Sequence, residues 1–190
     1  MSFNDLLFST IERACTWSCK KIPYIVSVGC RSGKIEQDFF EQHQTCKMIL
    51  VDHELPCSKG DVMIPCVKNV YELVNDYPNI VSNCLLLLLW PNPFKVFDLE
   101  AVKILKPLSI VTLYEEPFLI KNDKKISKVS RKYAFPEQLA GSTDFITFVK
   151  NTSYYHKEIC HWTEYPSPVC SRFPKLVYLW KTPKLWVDII

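Results

Sequence analysis

Apolar residues recur along the chain at two periods. Phe3–Lys21 repeats Leu6, Leu7, Ile11, Ala14, Cys15 and Trp17 at helical steps, with Ser2 or Asn4 as a cap and Pro23 as a stop, which predicts an N-terminal helix within residues 1–22. Tyr24, Ile25, Val26 and Val28 then stand at strand density, Gly29 and Gly33 bracket a turn, and Lys34 onward returns to helical spacing through about Gln42. Lys47–Val51 predicts a second strand and Asp61–Ile64 a short third. Val67, Val70, Leu73 and Val74 predict a helix over Val67–Tyr77, closed by Pro78.

Asn83–Leu89 has lost all in–out alternation. A strand covered by helices on both faces reads as a continuous apolar run, so this stretch predicts a central parallel strand. Trp90-Pro91-Asn92-Pro93 follows, then a helix from about Phe97 to Leu105 and a fifth strand at Ser109–Tyr114. Asp144–Lys150 fits either a helix or a strand, whereas Lys157–Tyr165 and Leu176–Lys181 read as two strands joined by a proline-bearing loop. Together these predict an α/β, Rossmann-like doubly wound, mostly parallel sheet with helices on both faces and a C-terminal antiparallel strand pair. A length of 190 residues predicts one domain over 1–190, with 115–141 as a basic irregular insertion.

Composition narrows the class. The hydrophobic share of 48% and charged share of 23% are those of a soluble globule, and Cys84–Trp90 is far too short an apolar run to span a bilayer. Met1–Phe8 lacks a basic start, and Asp5, Glu12 and Arg13 interrupt any apolar core, so no secretory leader is read there. The expected location is intracellular, the cytoplasm ahead of the nucleus. Nine cysteines without a Cys-x-x-Cys pair predict reduced, mostly structural thiols. His156, Cys160, His161 and Cys170 match no familiar zinc spacing, so no metal is expected.

The net charge is only +3, but Lys121, Lys124, Lys125, Lys128, Arg131 and Lys132 stand against a single Asp123. Clustered cations of this kind neutralise phosphates, and Tyr114, Phe118 and Tyr133 flank them with rings able to stack on bases. A solvated positive loop is the plain alternative. A nucleic-acid partner is one option and a protein partner another; a membrane partner is not expected.

The turn after the first strand carries the candidate chemistry. Glycine permits close backbone approach, and a helix N-terminus offers unpaired N–H groups to a ligand. The phosphate-binding pattern G-x-x-x-x-G-K-[ST] fails, because three residues separate Gly29 from Gly33 and Ile35 stands where a hydroxyl is needed. The dinucleotide pattern G-x-G-x-x-G lacks its middle glycine. Val28-Gly29-Cys30-Arg31-Ser32-Gly33 resembles instead the first motif of class I S-adenosylmethionine-dependent methyltransferases, with Arg31 in place of a glycine.

That resemblance implies a methyltransferase with S-adenosylmethionine as cofactor, bound by Gly29, Cys30, Arg31 and Gly33 at the turn and by Asp52 and the adjacent His53 at the end of the second strand. An acidic residue placed there accepts both ribose hydroxyls. It also implies that Trp90, Pro91, Asn92 and Pro93 face the substrate, although two prolines also suffice to stop a strand and start a helix. The methyl acceptor is not named by the sequence, nucleic acid being the option offered by the six cations, and no residue stands out as a general base. The competing reading is a catalytically inactive module of the same fold that works as a binding or scaffold unit for a protein or nucleic-acid partner.

Overall fold

Strand side chains alternate between the two faces of a sheet, and each face here has its own pair of helices. The structure is a computed structural model that describes residues 3–16, 22–30, 32–43, 46–53, 64–89, 97–115, 144–145, 147–148, 155–161 and 174–180. In chain order these form α1 (Phe3–Thr16), β1 (Tyr24–Val28), α2 (Lys34–Gln42), β2 (Lys47–Val51), β3 (Cys66–Val67), α3 (Val70–Asp76) with a 3-10 turn at Pro78–Ile80, β4 (Cys84–Leu88), α4 (Phe97–Leu105), β5 (Ser109–Glu115), β6 (Tyr155–His161) and β7 (Pro174–Trp180). The sheet order is β3-β2-β1-β4-β5-β7-β6. The first five strands pair in parallel. β7 lies antiparallel between β5 and β6.

β4 shows why a central strand reads as uniformly apolar. Leu86 and Leu88 join the cluster packed by α3 and α4, with Val26, Ile49, Leu73 and Val102. Leu85 and Leu87 join the opposite cluster under α1 and α2, with Ile25, Leu50, Ile11 and Phe39. All four leucines are fully buried, and burying each one stabilises the fold by roughly 1.5–3 kcal/mol.

The connections diverge at β1. From β1 the chain crosses one way through α2 to β2, and from β3 it crosses back through α3 to β4 on the other flank of β1. Right-handed crossovers put those helices on opposite faces and leave a crevice at the carboxyl ends of the strands.

Several boundaries differ from the spacing. The third strand is Cys66–Val67 rather than Asp61–Ile64, of which 61–63 lie outside the described residues. It exists through pairing: Leu50 N–H donates to the Pro65 carbonyl at 2.8 Å and Asp52 N–H to the Val67 carbonyl at 3.0 Å. Val67 therefore belongs to the sheet, and α3 begins at Val70, where Asn69 Oδ1 accepts the N–H groups of Tyr71 and Glu72 at 3.0 and 2.9 Å. Both terminal strands begin and end earlier than the spacing predicts. The predicted insertion at 115–141 lies outside the described residues apart from Glu115, which ends β5, as does the 17–21 end of the predicted first helix.

Candidate functional site

The site begins where β1 runs out of strand partners. Gly29 continues the ladder by donating its N–H to the Val51 carbonyl at 2.8 Å, then turns with φ at +74°. That left-handed backbone suits glycine. Space favours it too, since a Cβ there would lie 3.0 Å from Cε2 and Cζ of the Phe97 ring, which would have to give by a few tenths of an ångström. The turn closes when Gly33 N–H donates to the Cys30 carbonyl at 2.9 Å, and α2 starts with Gln37 N–H on the Gly33 carbonyl at 2.8 Å. Gly33 is also left-handed, at φ 64° and ψ 14°, and caps α2 without a side chain.

Beside the turn is a pocket of about 310 Å³, lined by Val28 and Gly29 from β1, Val51, Asp52 and His53 from the end of β2, Lys68, Asn69 and Val70 between β3 and α3, and Phe97 and Glu100 from α4. Such a volume is at the small end of ligand sites. Its walls are apolar where Val28, Val51, Val70 and Phe97 meet, and polar at Asp52, His53, Lys68, Asn69 and Glu100. Asp52 is only 6% exposed, and its Oδ1 lies 3.1 Å from His53 Nδ1. An ionised carboxylate held there is acceptor-only and suits a ligand that brings hydroxyl or N–H donors. On the rim, Tyr71 Oη donates to Glu100 Oε1 at 2.6 Å and ties α3 to α4.

A second carboxylate lies on the other side of β1. Ser27, with no exposed surface, donates its hydroxyl to Glu36 Oε1 at 2.6 Å, and Glu36 is 3% exposed. Burial raises the Glu36 carboxyl above its ordinary value, against the opposing pull of the Ser27 hydroxyl and its own backbone N–H. Burial also pushes the Cys30 thiol far up, reinforced by the negative charges of Glu36 and Asp52. Cys66 is raised mainly by burial as well. Cys30 is therefore held as the thiol, and a thiol lacks the nucleophilicity of the thiolate. Among the described residues, no group of three or more His, Cys, Asp or Glu side chains is arranged to hold a metal ion, and no helix is long and apolar enough to cross a membrane.

Of the residues singled out in the sequence, Gly29, Asp52 and His53 line one pocket, and Cys30 and Gly33 form the turn beside it. Arg31, the loop Trp90, Pro91, Asn92 and Pro93, and the cations Lys121, Lys124, Lys125, Lys128, Arg131 and Lys132 lie outside the described residues. Sequence reasoning passed over Lys68, Asn69, Val70, Phe97 and Glu100 in the pocket, and the Ser27–Glu36 pair behind it. Asn69 carried a signal, as a capping residue just before a helical run. Phe97 did not, because nothing local links it to a glycine 68 positions earlier.

No protein-family model matches the chain, and no curated protein matches it. Solved structures do match. The plantazolicin methyltransferase BpumL in complex with SAH is 12% identical, with a TM-score of 0.56 over 94% of this chain and 84% of that one. The complex of BpumL with a triazolic desmethylPZN analog and SAH gives 0.57 at the same identity, over 94% and 85%. The methyltransferase domain of bacterial CtHen1-C is 8% identical, with a TM-score of 0.51 over 94% of this chain and 97% of that one. At such identities the likeness is one of architecture, and it agrees with the glycine turn and the strand order: this chain has the fold of the class I S-adenosylmethionine-dependent methyltransferases.

Proposed function

We propose that the protein is an S-adenosylmethionine-dependent methyltransferase, a single domain over residues 1–190, and that its pocket takes the adenosine half of the cofactor. The carrying observation is the buried Asp52 carboxylate in the same pocket as Gly29. Asp52 accepts from the ribose hydroxyls, and His53 orients that carboxylate through its Nδ1. Val28, Val51, Val70 and Phe97 give a flat base an apolar wall. Gly29, Cys30, Arg31 and Gly33 form the turn against which the methionyl half lies, its backbone brought close by the missing Cβ of Gly29.

When bound, the cofactor supplies a methyl carbon made electrophilic by its sulfonium. The chain's task is then to align the acceptor and keep water out, and proximity carries much of the acceleration. Trp90, Pro91, Asn92 and Pro93 follow β4 and, in this reading, face the acceptor. BpumL and CtHen1-C are methyltransferases by name, which supports the reaction class for this chain without naming its acceptor. The cations from Lys121 to Lys132 favour a nucleic-acid acceptor, for which binding to RNA should weaken steeply with added salt.

Calorimetric titration tests the site. The folded protein should bind S-adenosylmethionine and S-adenosylhomocysteine one to one and ignore NAD. Asp52→Ala should keep the circular dichroism of the parent while losing about 10- to 100-fold in affinity, the worth of hydrogen bonds to a charged group. Full affinity in that variant rejects the ribose assignment. Silence with both ligands favours the partner-binding module.

A further inference from the structure

Glu36 is a buried carboxylate with no part in the reading above. It is held under the turn from both ends: Ser27 lies two residues before Gly29, and Glu36 lies three after Gly33. A carboxylate in the first turn of a helix is favoured by the N–H groups there, and α2 has no capping side chain at Gly33 to supply that negative charge. Asp52 stands at the end of the neighbouring strand, with its carboxylate almost as deeply buried. The two acids are within electrostatic reach of each other and of Cys30 between the glycines. The turn is therefore flanked by a buried carboxyl group on each side of β1.

S-adenosylmethionine and S-adenosylhomocysteine differ by one methyl group and one unit of positive charge. Shape offers little to tell them apart, and charge offers much. Resting on the reading of the pocket as a site for this cofactor, we propose that Glu36, together with Asp52, selects the cationic sulfonium over the neutral thioether, so that the site holds cofactor and lets product go. Glu36 acts through the field it sets at the turn and through the Ser27 hydrogen bond, as a positioning and selectivity residue.

Ser27 on β1, Cys30 in the turn and Cys66 on β3 are neutral, with both thiols held protonated by burial and by the acids. Lys68 on the pocket rim is exposed, so solvent and salt screen its opposing charge. His53 lies on the same pocket, with its Nδ1 3.1 Å from Asp52 Oδ1. Because burial raises the Glu36 carboxyl, the preference for the sulfonium should widen as pH rises and Glu36 ionises.

The test is titration of the parent and of Glu36→Gln with S-adenosylmethionine and S-adenosylhomocysteine. The amide keeps an oxygen for the Ser27 hydroxyl and removes only the charge. The sulfonium should lose about five- to thirty-fold in affinity while the thioether changes by less than about twofold, as expected of a unit charge acting over roughly 8–17 Å at an effective dielectric constant near 20. Equal losses for both ligands would mark Glu36 as a structural staple and overturn the proposal, as would no loss for either. Should the variant fail to fold, the parent alone decides: its sulfonium-to-thioether preference should rise as pH rises above the ordinary carboxylate range, and a flat ratio overturns the proposal. A parent that binds neither ligand overturns the pocket reading along with it, so the two failures are distinguishable.

Discussion

The two faces of the sheet are equally dry in the middle and differ at the end of β1. Under α1 and α2 the space behind the turn is filled: Ser27 meets Glu36, and Phe8, Phe39 and His43 pack ring on ring, with Phe39 and His43 stacked at 4.7 Å. Under α3 and α4 the equivalent space is left open, as the pocket bounded by Gly29, Asp52 and Phe97. The same backbone turn serves both, closed behind by a carboxylate and open in front. A pocket of this kind is a place where one face of a well-packed sheet stops packing, supported by the other face, which does not.

The largest expected effect tests the first half of that contrast. Leu86 faces α3 and α4, and Leu87 faces α1 and α2, both fully buried. Truncating either one, as Leu86→Ala or Leu87→Ala, should cost about 2–5 kcal/mol of stability in denaturant unfolding. A loss under about 1 kcal/mol for Leu86→Ala alone would mean that the open face is loosely packed along its whole length and not only at the strand ends.

Gly29→Ala is the next in size, and it probes the boundary itself. Left-handed backbone at a residue with a Cβ costs about 1–2 kcal/mol, and the new methyl would sit 3.0 Å from the Phe97 ring. Stability should fall by at least that amount. Combining Gly29→Ala with Phe97→Leu separates the two causes: the double variant should recover the steric part and leave the backbone part. If the pair is additive within about 0.5 kcal/mol, Phe97 does not press on the turn and the front wall of the pocket is loosely packed.

How much of this contrast the sequence carries depends on which residues have to meet. β1, α2, β2, β4, α4 and β5 were legible because each announces itself by its own period within a few residues. The turn and Asp52 were legible as well, since a glycine pair after one strand and an acid after the next are local features, and the fold brings Gly29 and Asp52 to one pocket. β3 was misplaced because two residues have no period, and only their bonds to β2 make them a strand. The front wall was missed for a similar reason: Asn69, Val70, Phe97 and Glu100 reach the pocket from α3 and α4, through the fold and not through spacing. Glu36 was the hardest to see. In Lys34–Gln42 it stands between Ile35 and Gln37 and, as a charged residue, looks like a solvent-facing helix position; its burial follows only once α2 is laid across β1.

The smallest effect concerns that acid and sharpens the contrast from behind. Because the folded chain raises the Glu36 carboxyl above its ordinary value near 4.5, the folded state binds this proton more tightly than the unfolded one does. The sign follows from linkage: stability from this group is fully present below the ordinary value and is lost as pH rises through the raised one. Glu36→Gln carries no proton to lose, so its unfolding free energy should lack that decline. Compared across pH in parallel denaturant titrations, parent and variant should lie closest near pH 4.5 and separate as pH rises, with the variant gaining. A gap that narrows with rising pH would mean that Glu36 is stabilised as a carboxylate in the folded chain, by the Ser27 hydroxyl and the helix N-terminus together. The filled face would then hold its negative charge at no cost, and the field behind the turn would be stronger at low pH than burial alone allows.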